Sequence, residues 1–308
     1  MPDLRILPLL SSATEIVHAL GLGQFQVGRS HECDFPKQIE SLPICTTPAI
    51  TVDGSSQEID NLVKQRLKDA LSVYTVDADL IARLQPTHII TQTQCKVCAV
   101  SLEDVELALQ QQTGSNAKII SLEPYGLEDL WTDILRVGTA FGYPERAQQL
   151  NSTLQNRMSA LAETATKASY KPRVAAIEWL EPLMAAGNWV PQLVTIAGGE
   201  NIFGEAGQHS PWMTFEDLLK EDPDIIVALP CGFDLNRTRA EMHWLTDRKE
   251  WPLLSAVRNN QIYICDGNQY MNRPGPRLVE SLQIFCEIFH SELYPPAMRA
   301  SGWDVLTR

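Results

Sequence analysis

No apolar run in this 308-residue chain approaches the ~18 residues that a membrane-spanning helix needs. Positive charge is also short. Against 38 Asp and Glu there are 25 Lys and Arg, a formal charge of −13, which argues against nucleic acid and anionic membrane surfaces as partners. The motifs that announce common chemistries are missing: no GxSxG elbow, P-loop, GxGxxG after a strand, or HExxH. The six histidines stand singly, with no pair at metal-ligand spacing, and the expectation is a protein that is not an enzyme and requires no cofactor. The first residues do not form a secretory signal, because Asp3 sits where positive charge belongs and the apolar run 6–10 is short and contains Pro8. As the sequence stands it reads as cytoplasmic; a missing leader would make it periplasmic. Seven cysteines cannot all pair, so they need not form a disulfide framework.

What is present is organised around one stretch, Pro144 to about Ala168. Pro144 suits a first helical turn, Glu145 stands at the dipole-favoured end, and no further Pro or Gly follows before Pro172. Ala147, Leu150, Leu154, Met158, Leu161 and Ala165 make a narrow apolar stripe at spacings of three and four. Such a helix is a rod of roughly 36 Å. On either side, strand and helix patterns alternate. Before it, strands are expected at Leu4–Leu10, Phe25–Arg29, Val73–Thr75, His88–Gln92 and Lys118–Leu122. Helices are expected at Thr14–Leu20 (capped by Ser11 or Ser12), Glu58–Ala70, Asp77–Leu84, Leu102–Gln112 and Leu127–Phe141. After it, strands are expected at Arg173–Trp179, Ile225–Leu229 and Gln261–Cys265, and helices at Val190–Ala197, Phe215–Lys220 and Arg277–His290. This predicts an α/β fold of two Rossmann-like lobes, residues 1–143 and 170–308, joined by a single long rigid helix over 144–169, with a ligand cleft between the lobes.

The halves share a gapless pattern. DLIARLQPTHII, from Asp79, overlays EDLLKEDPDIIV, from Glu216: an acid, a short helix, a proline seven residues on, then a buried strand. Loops after strands collect the candidate ligand contacts. In the first lobe these are Ser11, Ser12, His31, Glu32, Cys33 and the run Gln92 to Cys98, including Gln94. In the second they are Met184 to Trp189, His209 to Trp212, Cys231 to Asp234, and Asn268 to Arg273, including Tyr270. Trp189, Trp212, Phe233 and Tyr270 offer flat surfaces for a broad ring-shaped ligand, or else pack within their own lobe.

Cys95-x-x-Cys98 with His31 and Cys33 has the ligand types of a metal site; the pair also suits a redox dithiol, or plain reduced thiols lining a cleft. Cys45, Cys231, Cys265 and Cys286 read as packing residues.

RILPLLSSATEIVHALGLG, VGRSHECDFP, VDADLIARLQPTHIITQTQCKVCAV and IAGGENIFGEAGQHSPWMTFEDLLKEDPDIIV, in this order, resemble the class III substrate-binding proteins of ABC transporters, on the cobalamin-binding branch often grouped with iron–siderophore binders. The resemblance covers nearly the whole chain. It implies a non-catalytic protein holding cobalamin (vitamin B12) or a related corrinoid or tetrapyrrole-sized ligand in an interlobe cleft. The alternative is a metal-ion or metal-chelate (siderophore-like) binder using the Cys/His loops. It implies Trp212 as a retained ligand aromatic, with Tyr270 near another and Met184 where an aromatic is expected. Arg273 joins this candidate set. Asp79 and Glu216 would dock an ABC permease. Glu32 and Val73 depart from the pattern, standing where cobalamin binders have aromatic side chains.

Overall fold

Leu9-N–H to Ile90-O, at 2.9 Å, extends a parallel ladder in which apolar β1 (Ile6–Pro8) lies beside β4 (His88–Gln92). The computed structural model describes residues 4–69, 72–93, 101–110 and 117–307. In chain order after β1 come α1 (Ser11–Ala19), β2 (Thr46–Pro48), α2 (Ser56–Lys68), β3 (Tyr74–Val76), α3 (Ala78–Leu84), β4, α4 (Leu102–Gln110), β5 (Lys118–Leu122) and α5 (Leu127–Ala140). The parallel sheet has the order β1-β4-β5, and β2 pairs antiparallel with β3. Leu7, Leu9, Cys45, Ile81, Ile89 and Val105 form one buried cluster under these strands.

The long helix α6 runs from Pro144 to Ala165, and its chain then tightens through Thr166 and Lys167 rather than continuing to Ala168. Ala147, Leu154, Met158 and Ala165 of its stripe are buried. The chain divides into two compact units. The first comprises 1–54, 58–124 and 128–152; the second takes in 55–57, 125–127 and 153–308, so α6 passes through the division.

The second unit contains β6 (Arg173–Trp179), β7 (Met184–Ala185), α7 (Val190–Ile196), β8 (Glu200–Asn201), α8 (Phe215–Glu221), β9 (Ile225–Ala228), α9 (Leu235–Glu241), α10 (His243–Thr246), α11 (Ser255–Arg258), β10 (Ile262–Cys265), α12 (Leu278–Phe289) and β11 (Trp303–Val305). Its sheet has the order β11-β10-β9-β6-β7, with β8 also on β6; β6, β9 and β10 are parallel, and β11 and β7 run against their neighbours. The buried strand residues Ala175, Ile177, Ile226, Ala228, Ile262 and Ile264 pack in one core with Phe215, Leu218 and Trp251. The fold is thus mixed α/β, with a parallel sheet in the first lobe and a mainly parallel one in the second, as the strand–helix alternation predicts.

The gapless repeat is physical. Asp77 and Thr214 are the N-caps of α3 and α8, each accepting a backbone N–H of its own first turn. Ile81 and Leu218 are the buried residues in matching positions. Gln85 and Asp222 close the two helices in the left-handed conformation, at φ 45° and 40°, and a proline follows each before the strand.

Two local expectations need correction. Residues 25–29 do not form a regular strand: Gly23–Phe25 is a 3₁₀ turn, and only isolated bridges tie Gln26 to Ile6 and Arg29 to Ile44. Nor do Ser11 and Ser12 cap α1. Leu10 is its N-cap, at φ −146° and ψ 152°, and both serines lie inside the first turn.

Candidate functional site

The first unit's site is built where β1 and the β2–β3 ribbon release their loops. Ser11 Oγ donates to the Glu32 carbonyl at 3.0 Å, tying the start of α1 to the SHEC loop. His31 Nδ1 lies 2.8 Å from Thr46 Oγ1, and Thr46 Oγ1 also donates to Ser30 Oγ at 3.1 Å. The far side of the ring looks toward acid: His31 Nε2 is 4.0 Å from Glu32 Oε1. Burial, with Arg29 as a lesser cause, lowers the His31 pKa below its ordinary value. Tyr74 completes the group, its hydroxyl 3.4 Å from Glu32 Oε1 and its ring 5.5 Å from that of His31.

Tyr74 was not foreseen in the sequence, where attention falls on Val73. Val73, just before β3, is 2% exposed, while Tyr74 is partly buried and packs against the Leu7, Ile81 and Ile89 cluster.

Cys33, expected on a loop at the ligand, is buried in the core. It is 0% exposed and its sulfur accepts the Thr14 hydroxyl at 3.1 Å. Ser11 and Ser12 are also buried. Gln94, Cys95 and Cys98 lie outside the described residues. Among the described residues no group of three or more His, Cys, Asp or Glu side chains is placed to hold a metal ion. Of the expected metal set only His31 and Cys33 are described: Cys33 Sγ accepts from Thr14, and His31 lies against Thr46 and Glu32. Cys45, Cys265 and Cys286 are buried as expected of packing residues, and burial raises the thiol pKa of each, to about 11 for Cys45 and Cys286.

In the second unit the aromatics separate into two kinds. Trp189 is buried, its indole N–H donating to the Met271 carbonyl at 2.9 Å. Phe233 is buried against Trp179, ring centroids 5.3 Å apart. Both pack within their lobe. Trp212, by contrast, is 55% exposed, a large apolar area left on the surface. Tyr270 is half-buried, with the Arg277 guanidinium 5.3 Å from its ring centre.

Trp212 sits on a segment fixed from below. It bridges Met184, and the flanking ladder bonds are Ala185 N–H to Pro211 O at 3.0 Å and Met213 N–H to Leu183 O at 3.0 Å. Ser210 Oγ donates to Glu178 Oε2 at 2.9 Å and accepts the Gly187 N–H at 3.1 Å. Gly187 must be glycine, since a Cβ there would lie 2.6 Å from the Gln208 carbonyl oxygen. Glu178, at the carboxyl end of β6, is the residue that the sequence did not flag; burial pushes its pKa up, offset in part by Ser210, Gly187 and His209. Beside Trp212 a hollow of about 270 Å³ is lined by Phe203, Met213, Asp217 and Lys220 among others. Arg273, expected at the ligand surface, is 6% exposed and donates to Asn268 Oδ1 at 2.9 Å.

Asp79 and Glu216 are both exposed and both occupy the second position of their helices. No helix among the described residues is long and apolar enough to cross a membrane.

Residues 9–269 match the family model described as periplasmic binding protein. The chain is 23% identical over 306 residues to the vitamin B12-binding protein of Vibrio campbellii, covering 94% of this chain and 90% of that protein. Among solved structures it is similar to the periplasmic heme-binding protein RhuT of Roseiflexus sp. RS-1 in apo form, with a TM-score of 0.68 and 21% identity, covering 94% of this chain and 98% of that one. It is likewise similar to the periplasmic vitamin B12-binding protein BtuF of Vibrio cholerae, with a TM-score of 0.64 and 22% identity, covering 92% of this chain and 95% of that one. The structural likenesses bear on the fold, the family match on descent, and together they agree with the resemblance carried by the opening and GGENIF blocks. The chain belongs to the periplasmic binding protein family, the class III substrate-binding proteins of ABC transporters.

Proposed function

We propose that this protein is a non-catalytic binding protein for a tetrapyrrole-sized ligand, with cobalamin or a related corrinoid the first candidate and heme the second. The observation that carries the reading is Trp212: 55% exposed, yet anchored through its neighbours to β6 and β7. An exposed indole on a fixed backbone is a stacking surface prepared before the ligand arrives, so little ordering is left to oppose binding. Tyr270 in the same lobe, on the loop after β10, offers a second ring where ligands of such sheets bind, and Tyr74, His31 and Glu32 are the first lobe's candidate group. The named ligands of the similar proteins, vitamin B12 and heme, are both of this size and shape class.

The metal-chelate reading is weaker, because the described His and Cys side chains do not converge. Asp79 and Glu216, exposed at equivalent helix positions, are the proposed contacts to a permease, one from each repeat. Delivery to such a permease from outside the membrane would require the mature chain to be extracytoplasmic.

Calorimetric and spectral titration of the reduced, metal-stripped protein with cobalamin, and separately with heme, tests the proposal. One site per chain at micromolar affinity or better supports it. Binding of neither, with metal ions binding instead, would transfer the site to the alternative reading.

A further inference from the structure

β6 and β7 pair out of step. Ile177 lies opposite Ala185 and Trp179 opposite Met184, so β6 takes two steps where β7 takes one, and Glu178 is the extra residue of a β-bulge. A bulge bends its strand and re-aims a side chain, and this one stands at the carboxyl end of β6. The Glu178 backbone stays in register with its other neighbour, its carbonyl accepting the Cys231 N–H at 3.2 Å. Its side chain leaves the ladder. Oε2 accepts the Ser210 hydroxyl at 2.9 Å, and the Gly187 N–H is a second donor to the carboxyl. β7 lies between, for Met184 faces Trp179 on one side and bridges Trp212 on the other. The carboxyl thus reaches past the end of β7 and ties the stretch that follows it, at Gly187, to the stretch that carries Trp212, at Ser210.

The tie fixes direction. Ser210 has a single hydroxyl hydrogen; giving it to Glu178 leaves a lone pair for the Gly187 N–H, 3.1 Å away. Ser210 is buried, and His209 Nδ1 sits 2.9 Å from its carbonyl. Only Pro211 separates it from Trp212, and a proline ring holds φ at about −65°, leaving the chain little freedom to absorb a shift. A displaced Ser210 therefore displaces the indole. The carboxyl is poorly suited to a purely stabilising part. Burial raises its pKa, so its ionised form is held at a cost that a neutral side chain of similar size avoids. What it offers beyond an apolar residue is an acceptor for two donors from two stretches.

We propose that Glu178 is a positioning residue for ligand binding: through Ser210 and Gly187 its carboxylate sets the orientation in which Trp212 meets the ligand. The proposal rests on the reading of Trp212 as a ligand surface and adds to it the group that aims the indole.

The test is a double-mutant cycle on the full chain, titrated with cyanocobalamin and with hemin and accompanied by thermal melts. E178M removes the acceptor at nearly constant volume. It should melt within a few degrees of the unmodified protein yet weaken the bound probe by about fivefold or more. E178Q, which restores an acceptor without the charge, should recover part of that loss. In the W212A background E178M should change affinity by less than about twofold, because the residue it acts through is gone. A merely structural role would not produce that coupling. Losses that add in the double variant, or no loss in E178M, overturn the proposal while the binding function stands. A probe that W212A binds as tightly as the unmodified protein does would remove the indole from the site, and the proposal with it. If neither probe binds, the ligand class itself is wrong and both fall. Where E178M does not fold, S210A, which deletes only the hydroxyl between Glu178 and Gly187, carries the same cycle. Unfolding of both variants would make the cluster a stability element and overturn the positioning role.

Discussion

Arg173 and Asp224 hold each other through both backbone and side chain: the Arg173 N–H donates to Asp224 Oδ2 at 2.8 Å, and the Asp224 N–H donates to the Arg173 carbonyl at 2.9 Å. Arg5 and Thr87 make the same exchange in the first unit, at 3.0 Å to Thr87 Oγ1 and 2.9 Å to the Arg5 carbonyl. Each arginine then reaches the last turn of the preceding helix of the repeat, Arg5 Nε to the Leu84 carbonyl at 2.8 Å and Arg173 to the Glu221 carbonyl. A cation at a helix C-terminus satisfies an orphan carbonyl and opposes the negative end of the dipole. The repeat seen from Asp79 and Glu216 thus extends to the strand entering each lobe.

Arg5→Ala is expected to cost about 1–2 kcal/mol, the price of one charge-assisted hydrogen bond, read as a lower denaturant midpoint. Arg173→Ala also breaks the ion pair to Glu221, 2.7 Å long but more than a third exposed, which adds little. Similar losses at the two positions would support equivalent roles. A negligible loss at Arg5 would show that the Leu84 carbonyl is as well served by water.

The caps give a second prediction. Thr214 and Asp217 form a complete capping box: Thr214 Oγ1 accepts the Asp217 N–H at 3.1 Å, and Asp217 Oδ2 accepts the Thr214 N–H at 2.9 Å. Thr214→Ala should cost about 1 kcal/mol and Thr214→Ser much less. These bonds hold the Asp217 carboxyl below its ordinary pKa, with the threonine hydroxyl the leading cause. Equal losses for alanine and serine would mean that the threonine methyl, and not the hydroxyl, is what matters there.

How far the sequence discloses these features depends on how local their causes are. His88–Gln92, Lys118–Leu122 and Arg173–Trp179 are strands over the predicted bounds, because each is a short apolar run closed by local signals. Residues 25–29 and β2 differ. Their pairing depends on Ile6, Ile44 and β3, partners distant in sequence, so no local pattern announces it. Ser11 and Ser12 look like caps, but the extended backbone at Leu10 starts the helix one residue early. Among the aromatics composition shows what is present but not which way it faces. Arg237 stands four residues after Phe233, a spacing that offers a contact without revealing it.

Asp133 predicts a pH effect. Its side chain is buried, accepts the Glu123 N–H at 3.0 Å and pairs with Arg136 at 2.5 Å; burial outweighs these charged-form contacts and pushes its pKa up to about 6. A carboxyl whose folded pKa exceeds its unfolded value favours the fold when protonated. Its contribution is therefore complete below about pH 4 and is lost as pH rises to about 6. The stability difference between the wild type and Asp133→Asn should shift by on the order of 2 kcal/mol against the wild type between pH 4 and 7. A difference independent of pH would mean that Arg136 keeps the carboxylate ionised at its ordinary pKa.

Trp189 and Trp212 supply the sharpest contrast, since both stand at strand ends as equivalent candidates until their exposure is known. Trp189 is 6% exposed with its indole N–H bonded to Met271, whereas Trp212 is 55% exposed on a segment braced by Glu178 and Ser210. Removing a buried indole leaves a cavity and an unpaired carbonyl, so Trp189→Ala should cost roughly 3–5 kcal/mol of stability. Removing the exposed one forfeits little packing, so Trp212→Ala should keep the melting temperature within a few degrees. It should nevertheless weaken ligand binding by about tenfold or more, since a stacking aromatic contributes chiefly in the complex. Thermal melts and titrations of both variants give four measurements. A Trp212→Ala protein that melts normally and binds normally would remove the indole from the site and leave the first lobe's Tyr74, His31 and Glu32 to account for the ligand. A Trp212→Ala protein that unfolds early would instead show that the indole secures the Met184–Trp212 bridge, making its exposure incidental to binding.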